Sequence, residues 1–411
     1  MTSYTEIKSC RVSKEEDLVT ILNLGDQKLT GVFPRPEDEV GVGPLEVVWS
    51  PSSYLVQLKH TYEPTEMYGD NYGYLSSLNN SMVQHLNQKA NYLSELIDLK
   101  EGDVVVDIGS NDCTFLKAFP TYTKRIGIDP TIKKFAHHYP SDIYYAADFF
   151  SKEAYQVIES EKNAKLVTSL SCFYDLPDPV AFVKDIREVL SDDGLWHFEQ
   201  AYLPSTIRAN SYDTVCHEHI EYYSMLSVSK ILDLAGMRIV DVSLNDINGG
   251  SFAVSACKDS NKEFPTNSAV IDWLIEEEYK MGLDTLKPYI HWAERTNAHR
   301  DSLVSLIRGL KSEGKSVYGY GASTKGNAML QWCGLSPDDI SAFGEINPDK
   351  YGCVTPGTNI PIIPEAEVKE ANPDYMVVLP WHFRHGILQR EKEYRKAGGK
   401  FIFPLPHIEI V

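Results

Sequence analysis

The sequence predicts an α/β protein: two doubly wound Rossmann-like domains plus a small β-rich N-terminal lobe. Three observations predict it. Val104-Val105-Val106-Asp107-Ile108 is an unbroken apolar strand of the kind buried on both faces of a parallel sheet. Strand and helix patterns alternate at short spacing from about residue 75 to 258. A second strand, Gly-rich turn and helix start begin at Ser316.

The 411 residues suffice for two to three domains. Residues 1–70 carry short β-like runs, Leu18–Leu24 and Leu45–Trp49, between Pro-rich turns. A helix is expected from about 75 to 99, with Met82, Leu86, Ala90, Leu93 and Ile97 on its apolar face. Strands follow at Val104–Ile108, Arg125–Ile128, Lys165–Ser169, Leu195–Glu199 and Ser251–Ala256, with helices such as Ala181–Leu190 and Ser227–Ala235 between them. These define a first α/β domain over 71–258. Residues 259–315 read as a helical connector, Ser268 to Leu310, with an interruption expected at Pro288. The second α/β domain, 316–411, starts with strand Ser316–Gly319 and a helix beginning at Asn327. It continues with strands Tyr375–Leu379 and Lys400–Pro404.

Composition narrows the function. With 39 basic against 58 acidic residues the net charge is −19, which argues against a nucleic-acid partner. No apolar run reaches the roughly 18 residues that span a bilayer, so no membrane partner is expected. The opening segment, Met1 to Asp17, has no apolar signal core, and the seven cysteines form no CxxC pair. Reduced thiols and a cytoplasmic location are expected.

The first chemical motif is Asp107-Ile-Gly109-Ser-Asn111, directly after the strand. Glycine lets backbone approach a ligand, and the strand-end carboxylate can orient it. One helix later Asp129 ends the next strand, where a carboxylate grips a ribose diol. Asp148, after Tyr144-Tyr-Ala-Ala, is placed to meet an adenine amino group. Cys113 stands where the dinucleotide GxGxxG motif needs a small residue, so S-adenosylmethionine (SAM) is favoured over a nicotinamide cofactor.

These residues, with Ser171-Cys-Phe-Tyr-Asp175-Leu-Pro-Asp-Pro179, resemble a class I SAM-dependent methyltransferase core. Tyr212-Asp-Thr-Val-Cys216-His217-Glu218-His219, Asn248-Gly-Gly-Ser251 and Gly319-Tyr-Gly321-Ala-Ser323-Thr324-Lys325-Gly-Asn327 narrow the resemblance. Together they look like the nucleotide-sugar C-methyltransferases that branch deoxysugars, over essentially the whole chain. The resemblance implies methyl transfer from SAM to a carbon beside a ketone, through an enolate made by a base. It points to His219 as base, Glu218 as its orienter and Tyr74 as an aromatic near the reacting centre. A histidine base near neutrality predicts a rate that rises through the histidine pH range. The local conformation stays open: an extended segment puts both histidines on one side, a helix start pairs His219 with Tyr222 or Tyr223.

The Gly-rich turn reads as an anion site made by a helix start, the Ser323 and Thr324 hydroxyls and Lys325. The resemblance assigns Gly321, Ser323, Thr324, Lys325 and Asn327 to the nucleotide-sugar pyrophosphate, and Arg384 is placed to join from the next strand end. The family's N-terminal zinc knuckles read here as Cys10-Arg-Val-Ser13 and Ser50-Pro-Ser-Ser53. One thiolate remains of four, so no zinc is expected. Cys216 stands where members of that family often carry Tyr, and Asp175 where some carry His. The alternatives are an O- or N-methyltransferase on a similar sugar, or a non-catalytic nucleotide-sugar-binding protein. The oligomeric state is left open.

Overall fold

The structure is a computed structural model that describes residues 4–68 and 74–411. The expected boundary at 70/71 lies outside the described residues. Three large sheets carry the fold, beside a two-stranded ribbon of Tyr4–Glu6 and His60–Tyr62.

The central sheet has seven strands in the order Met237–Asn245, Ser251–Lys258, Leu190–Ala201, Ala164–Leu170, Val104–Ile108, Lys124–Ile128, Ile143–Ala146. Five of them run parallel, and Ser251–Lys258 is antiparallel to both its neighbours. Val104–Ile108 sits at the middle and is buried along its whole length. Strand order reverses beside it, which opens a crevice at the carboxyl ends of the strands.

The second α/β sheet runs Ile362–Pro364, Phe343–Glu345, Val317–Tyr320, Tyr375–Val378, Lys400–Phe403, Glu409–Ile410, parallel except for the last strand. The helical connector is two helices, Ser268–Met281 and Lys287–Ser312. Their break falls at Gly282, which caps the first helix in a left-handed conformation (φ +77°). Pro288 lies in the first turn of the second helix, where its missing N–H costs nothing. The expected interruption is therefore six residues earlier than proline alone suggested.

The N-terminal lobe is an antiparallel sheet of Val19–Lys28, Val42–Trp49 and Val56–Leu58, to which Glu221–Tyr222 adds a fourth strand. Its apolar residues are continuous with the second α/β domain and the connector: Trp49, for instance, packs its ring 5.4 Å from that of Tyr289. Among the described residues, no helix is long and apolar enough to cross a membrane.

Candidate active site

The crevice beside Val104–Ile108 is a cleft of about 1310 Å³, partly open to solvent. Asp107, Gly109 and Asn111 line it, with Asp129 on the neighbouring strand end. Gly109 has φ +72°, and a Cβ there would stand 3.0 Å from that of Cys172, so only glycine fits without strain. Burial pushes the Asp107 carboxyl up to about 7, although it accepts a 2.7 Å bond from the Thr168 hydroxyl. Asp129 accepts from the Asn111 amide at 2.8 Å, and from the Thr131 amide and hydroxyl at 2.6 Å each. Burial still raises its pKa.

Asn111 has a second task. Its carboxamide accepts from Ser76 N–H (3.1 Å) and donates to the Tyr74 carbonyl (3.1 Å), fastening the segment that leads into helix Asn80–Leu96. Tyr74 lines the cleft; it is half exposed, but burial of its hydroxyl end raises its pKa. Asp148 does not line the cleft. It is exposed and accepts from the Phe149 amide, while the rings of Phe149 and Phe150 form the wall at that end. At that end the two rings, and not Asp148, face the cleft.

The His-Glu-His segment adopts neither expected conformation: it is a turn, closed by His219 N–H on the Cys216 carbonyl at 3.2 Å. The two histidines therefore part. His217 is buried against the lobe, with Nδ1 facing Thr30 (amide 3.4 Å, hydroxyl 3.3 Å) and Nε2 donating to the Gly43 carbonyl at 3.2 Å. Both nitrogens are occupied, and burial lowers its pKa to about 4. His219 packs its ring 4.4 Å from Tyr174. Its Nδ1 donates to the Thr214 carbonyl at 3.1 Å, which leaves the Nε2 lone pair free. Burial, with the Lys325 ammonium adding to it, depresses its pKa to about 3. This imidazole is neutral through the physiological range.

Glu218 is not the orienter of His219. Its carboxylate meets the Thr30 hydroxyl at 3.4 Å, and burial raises its pKa; Thr214 does the orienting. Asp175 lines the cleft on the turn that also carries Tyr174; burial pushes its carboxyl well up, with the Glu218 charge adding to it, and burial with both acids raises the Cys216 thiol. The two departures noted in the sequence thus meet at one buried centre.

Lys325 extends from the helix Thr324–Cys333 toward the same centre. Its ammonium reaches the Asn248 carbonyl at 3.4 Å and lowers the basicity of His219 and His382. Gly321 makes the turn at φ +75°. The other turn residues divide. The Ser323 hydroxyl caps its own helix by accepting from Gly326 N–H at 3.1 Å, while Thr324 lies partly exposed beside Lys325. Asn327 is fully buried and donates to the Thr30 carbonyl at 2.8 Å, so it holds the lobe rather than a ligand. Arg384 forms a two-bond ion pair with Glu409 (2.7 and 3.1 Å) and does not join Lys325. His382 stands nearer, with a buried Nδ1 that has no partner among the described residues.

Sequence reasoning missed one constellation. Glu199, near the end of strand Leu190–Ala201, accepts from His85 Nε2 (2.6 Å), Lys89 Nζ (2.7 Å) and Asn245 Nδ2 (2.8 Å). His85 and Lys89 are four apart on helix Asn80–Leu96, and that spacing on one face was the available signal. Burial opposes the Glu199 charge, but these donors outweigh it and hold its pKa near about 2.

The knuckle positions do not fit zinc. Cys10 Sγ lies 3.0 Å from Ser53 Oγ, Ser53 bonds Ser50 at 3.2 Å, and Ser50 donates to Asp17 at 2.8 Å. Ser52 bonds Ser13 at 2.7 Å. Neutral hydroxyls are not the thiolate or imidazole donors zinc requires. Burial works to raise the Cys10 thiol pKa, but its bonds to serines pull it below the ordinary value.

Three family models match the chain: a zinc-binding domain at 10–68, a methyltransferase domain at 82–242 and a C-methyltransferase C-terminal domain at 246–406. The C-methyltransferase NovU of Streptomyces niveus is 32% identical over 410 residues, covering 98% of this chain and 97% of its own. The chain belongs to the SAM-dependent C-methyltransferases. Among solved structures, a SAM-dependent methyltransferase from Clostridium acetobutylicum aligns at 9% identity (43% of this chain, 92% of that one, TM-score 0.33). The N-methyltransferase NodS of Bradyrhizobium japonicum aligns at 13% (43% and 97%, TM-score 0.32). The fold assignment of this C-methyltransferase rests on its own sheet order. In it, Asp107, Gly109 and Asp129 with the Phe149–Phe150 wall suit SAM: carboxylates for the polar groups, rings for adenine, a glycine for close approach. An O- or N-methyltransferase and a non-catalytic binder, both open from sequence, are set aside by this membership.

Proposed function

We propose that the acceptor is a nucleotide-linked keto sugar, methylated on a carbon beside its ketone. One observation carries this reading: a neutral imidazole with a free Nε2 stands next to an ammonium where the two α/β domains meet. His219 Nε2 takes the carbon-bound proton, and the electron pair left behind delocalises onto the ketone oxygen as an enolate. Thr214 fixes the tautomer that makes Nε2 the acceptor. Lys325, with the turn at Gly321 and Thr324, binds the pyrophosphate as a point charge and keeps the sugar beside His219. His382 offers a further nitrogen to the same anion. When bound, SAM supplies an electrophilic methyl on its sulfonium.

The test is exchange of a carbon-bound hydrogen. A nucleotide keto sugar incubated with the protein in deuterated water, without SAM, should gain one deuterium by mass spectrometry. Lys325→Ala should weaken binding of that nucleotide sugar, less so as salt rises, and leave S-adenosylhomocysteine binding unchanged. Absence of exchange alongside normal homocysteine-product formation would move the chemistry away from a ketone-adjacent carbon.

A further inference from the structure

We infer that His85, oriented by Glu199, binds the amino-acid carboxylate of SAM. This rests on the cofactor alone and not on the sugar. The adenosine end of the cleft is marked by Asp129 and the Phe149–Phe150 wall, on the two strand ends at one side of Val104–Ile108. Glu199 lies on a strand to the other side, three strand spacings from that of Asp129, or roughly 14 Å. A ligand with its ribose at Asp129 therefore runs its other arm toward Glu199 and His85.

That arm is a zwitterion and needs partners of both signs. Four acids line the cleft: Asp107, Asp129, Asp175 and Glu199. Its single basic lining side chain, among the described residues, is His85. Glu199 accepts from His85 Nε2 at 2.6 Å, so Nδ1 is the nitrogen left for a ligand, and the imidazolium form, with a proton on each nitrogen, is the one that donates to a carboxylate. Lys89 does not line the cleft; its Nζ lies behind, between Glu199 at 2.7 Å and His197 Nε2 at 3.2 Å. Behind it, His197 Nδ1 meets the Ser255 hydroxyl at 3.0 Å. The chain Ser255–His197–Lys89–Glu199–His85 is occupied at every link except the last, which faces the cleft. Glu199 is then a positioning residue and His85 a binding one.

Calorimetry with two ligands tests this. S-adenosylhomocysteine carries the amino-acid arm, and 5′-methylthioadenosine lacks it. His85→Asn should weaken the first about 10–100-fold, the loss of one charge-assisted bond, and leave the second within about twofold. Glu199→Gln should show the same selectivity with a smaller loss, whereas a purely structural role would weaken both ligands alike. Wild-type protein offers a measurement free of folding effects: the decarboxylated analogue of S-adenosylhomocysteine should bind about 10–100-fold more weakly than the parent. Equal losses for both ligands in His85→Asn, no loss for either, or equal wild-type affinity for parent and decarboxylated analogue would each overturn the assignment.

Discussion

Gly31 lies against Glu218 so closely that a Cβ on residue 31 would overlap the Glu218 carboxylate. Thr30, one residue earlier, contacts both His217 and Glu218, and its carbonyl is held by Asn327 of the second α/β domain. One short loop of the lobe therefore sets the seat of the whole His-Glu-His turn.

Gly31→Ala should for this reason impair methyl transfer without touching the cofactor. The atoms in its way are the end of a flexible side chain, so the fold adapts by moving Glu218. A displacement of about 1 Å in such a site costs on the order of 10²-fold in rate. Turnover should fall by at least tenfold while S-adenosylhomocysteine affinity stays within twofold. A variant with wild-type turnover would show that moving Glu218 does not disturb the seat of His219.

His219→Asn should keep the cofactor bound and cut turnover by about 10²–10⁴-fold. The structure also revises the pH expectation. The proposed base is active when neutral, and burial lowers its pKa to about 3, so the rate should be flat from pH 6 to 8 and fall only in acid. An inflection in the rate at pH 6–7 that His219→Asn abolishes would contradict the buried setting of the ring.

Asp107 predicts a stability effect of defined sign. Its folded pKa, about 7, lies above the unfolded value of 3.8, so the folded state binds the extra proton between these limits. Stability therefore falls as pH rises from about 4 to 7, by an amount of order 4 kcal/mol at most. Asp107→Asn removes that penalty. Its melting temperature should exceed that of wild type at pH 8, and the difference should shrink towards zero at pH 5. A difference independent of pH would mean that the carboxyl is not the group that titrates.

Purified protein should contain no stoichiometric zinc, and chelator should not lower its melting temperature. Restoring thiols with Ser13→Cys, Ser50→Cys and Ser53→Cys together should create a site that takes up about one zinc per chain. About one zinc in the wild-type protein by metal analysis would show that the hydroxyl cluster is not what closes the knuckle.

The chain of β-strand and helix patterns was legible because buried parallel strands such as Val104–Ile108 leave continuous apolar runs. Strands of three residues, Phe343–Glu345 and Ile362–Pro364, left no such run and went unseen. Asp107, Gly109 and Asp129 could be placed because a strand end fixes where its next residue points. Arg384, Asn327 and Asp148 could not, because partners 25 or 297 residues away, or an exposed loop, decide where those side chains go. Thr214 was hidden for a related reason. Its carbonyl orients His219, and a backbone oxygen has no residue type to betray it.

The strand Glu221–Tyr222 completes the lobe's sheet by pairing with Gln57 and Val56, two residues after His219 in the chain. Arg11, next to Cys10, reaches the Gln57 carboxamide at 3.2 Å and the Leu58 carbonyl at 2.6 Å. Residues 4–60 thus form a splint laid along the His-Glu-His turn, anchored at one end by the serine cluster and at the other by a borrowed strand. In it a set of hydroxyl bonds stands where a metal rivet would need thiolates. The splint cannot be removed without unpairing the strand that directly follows His219.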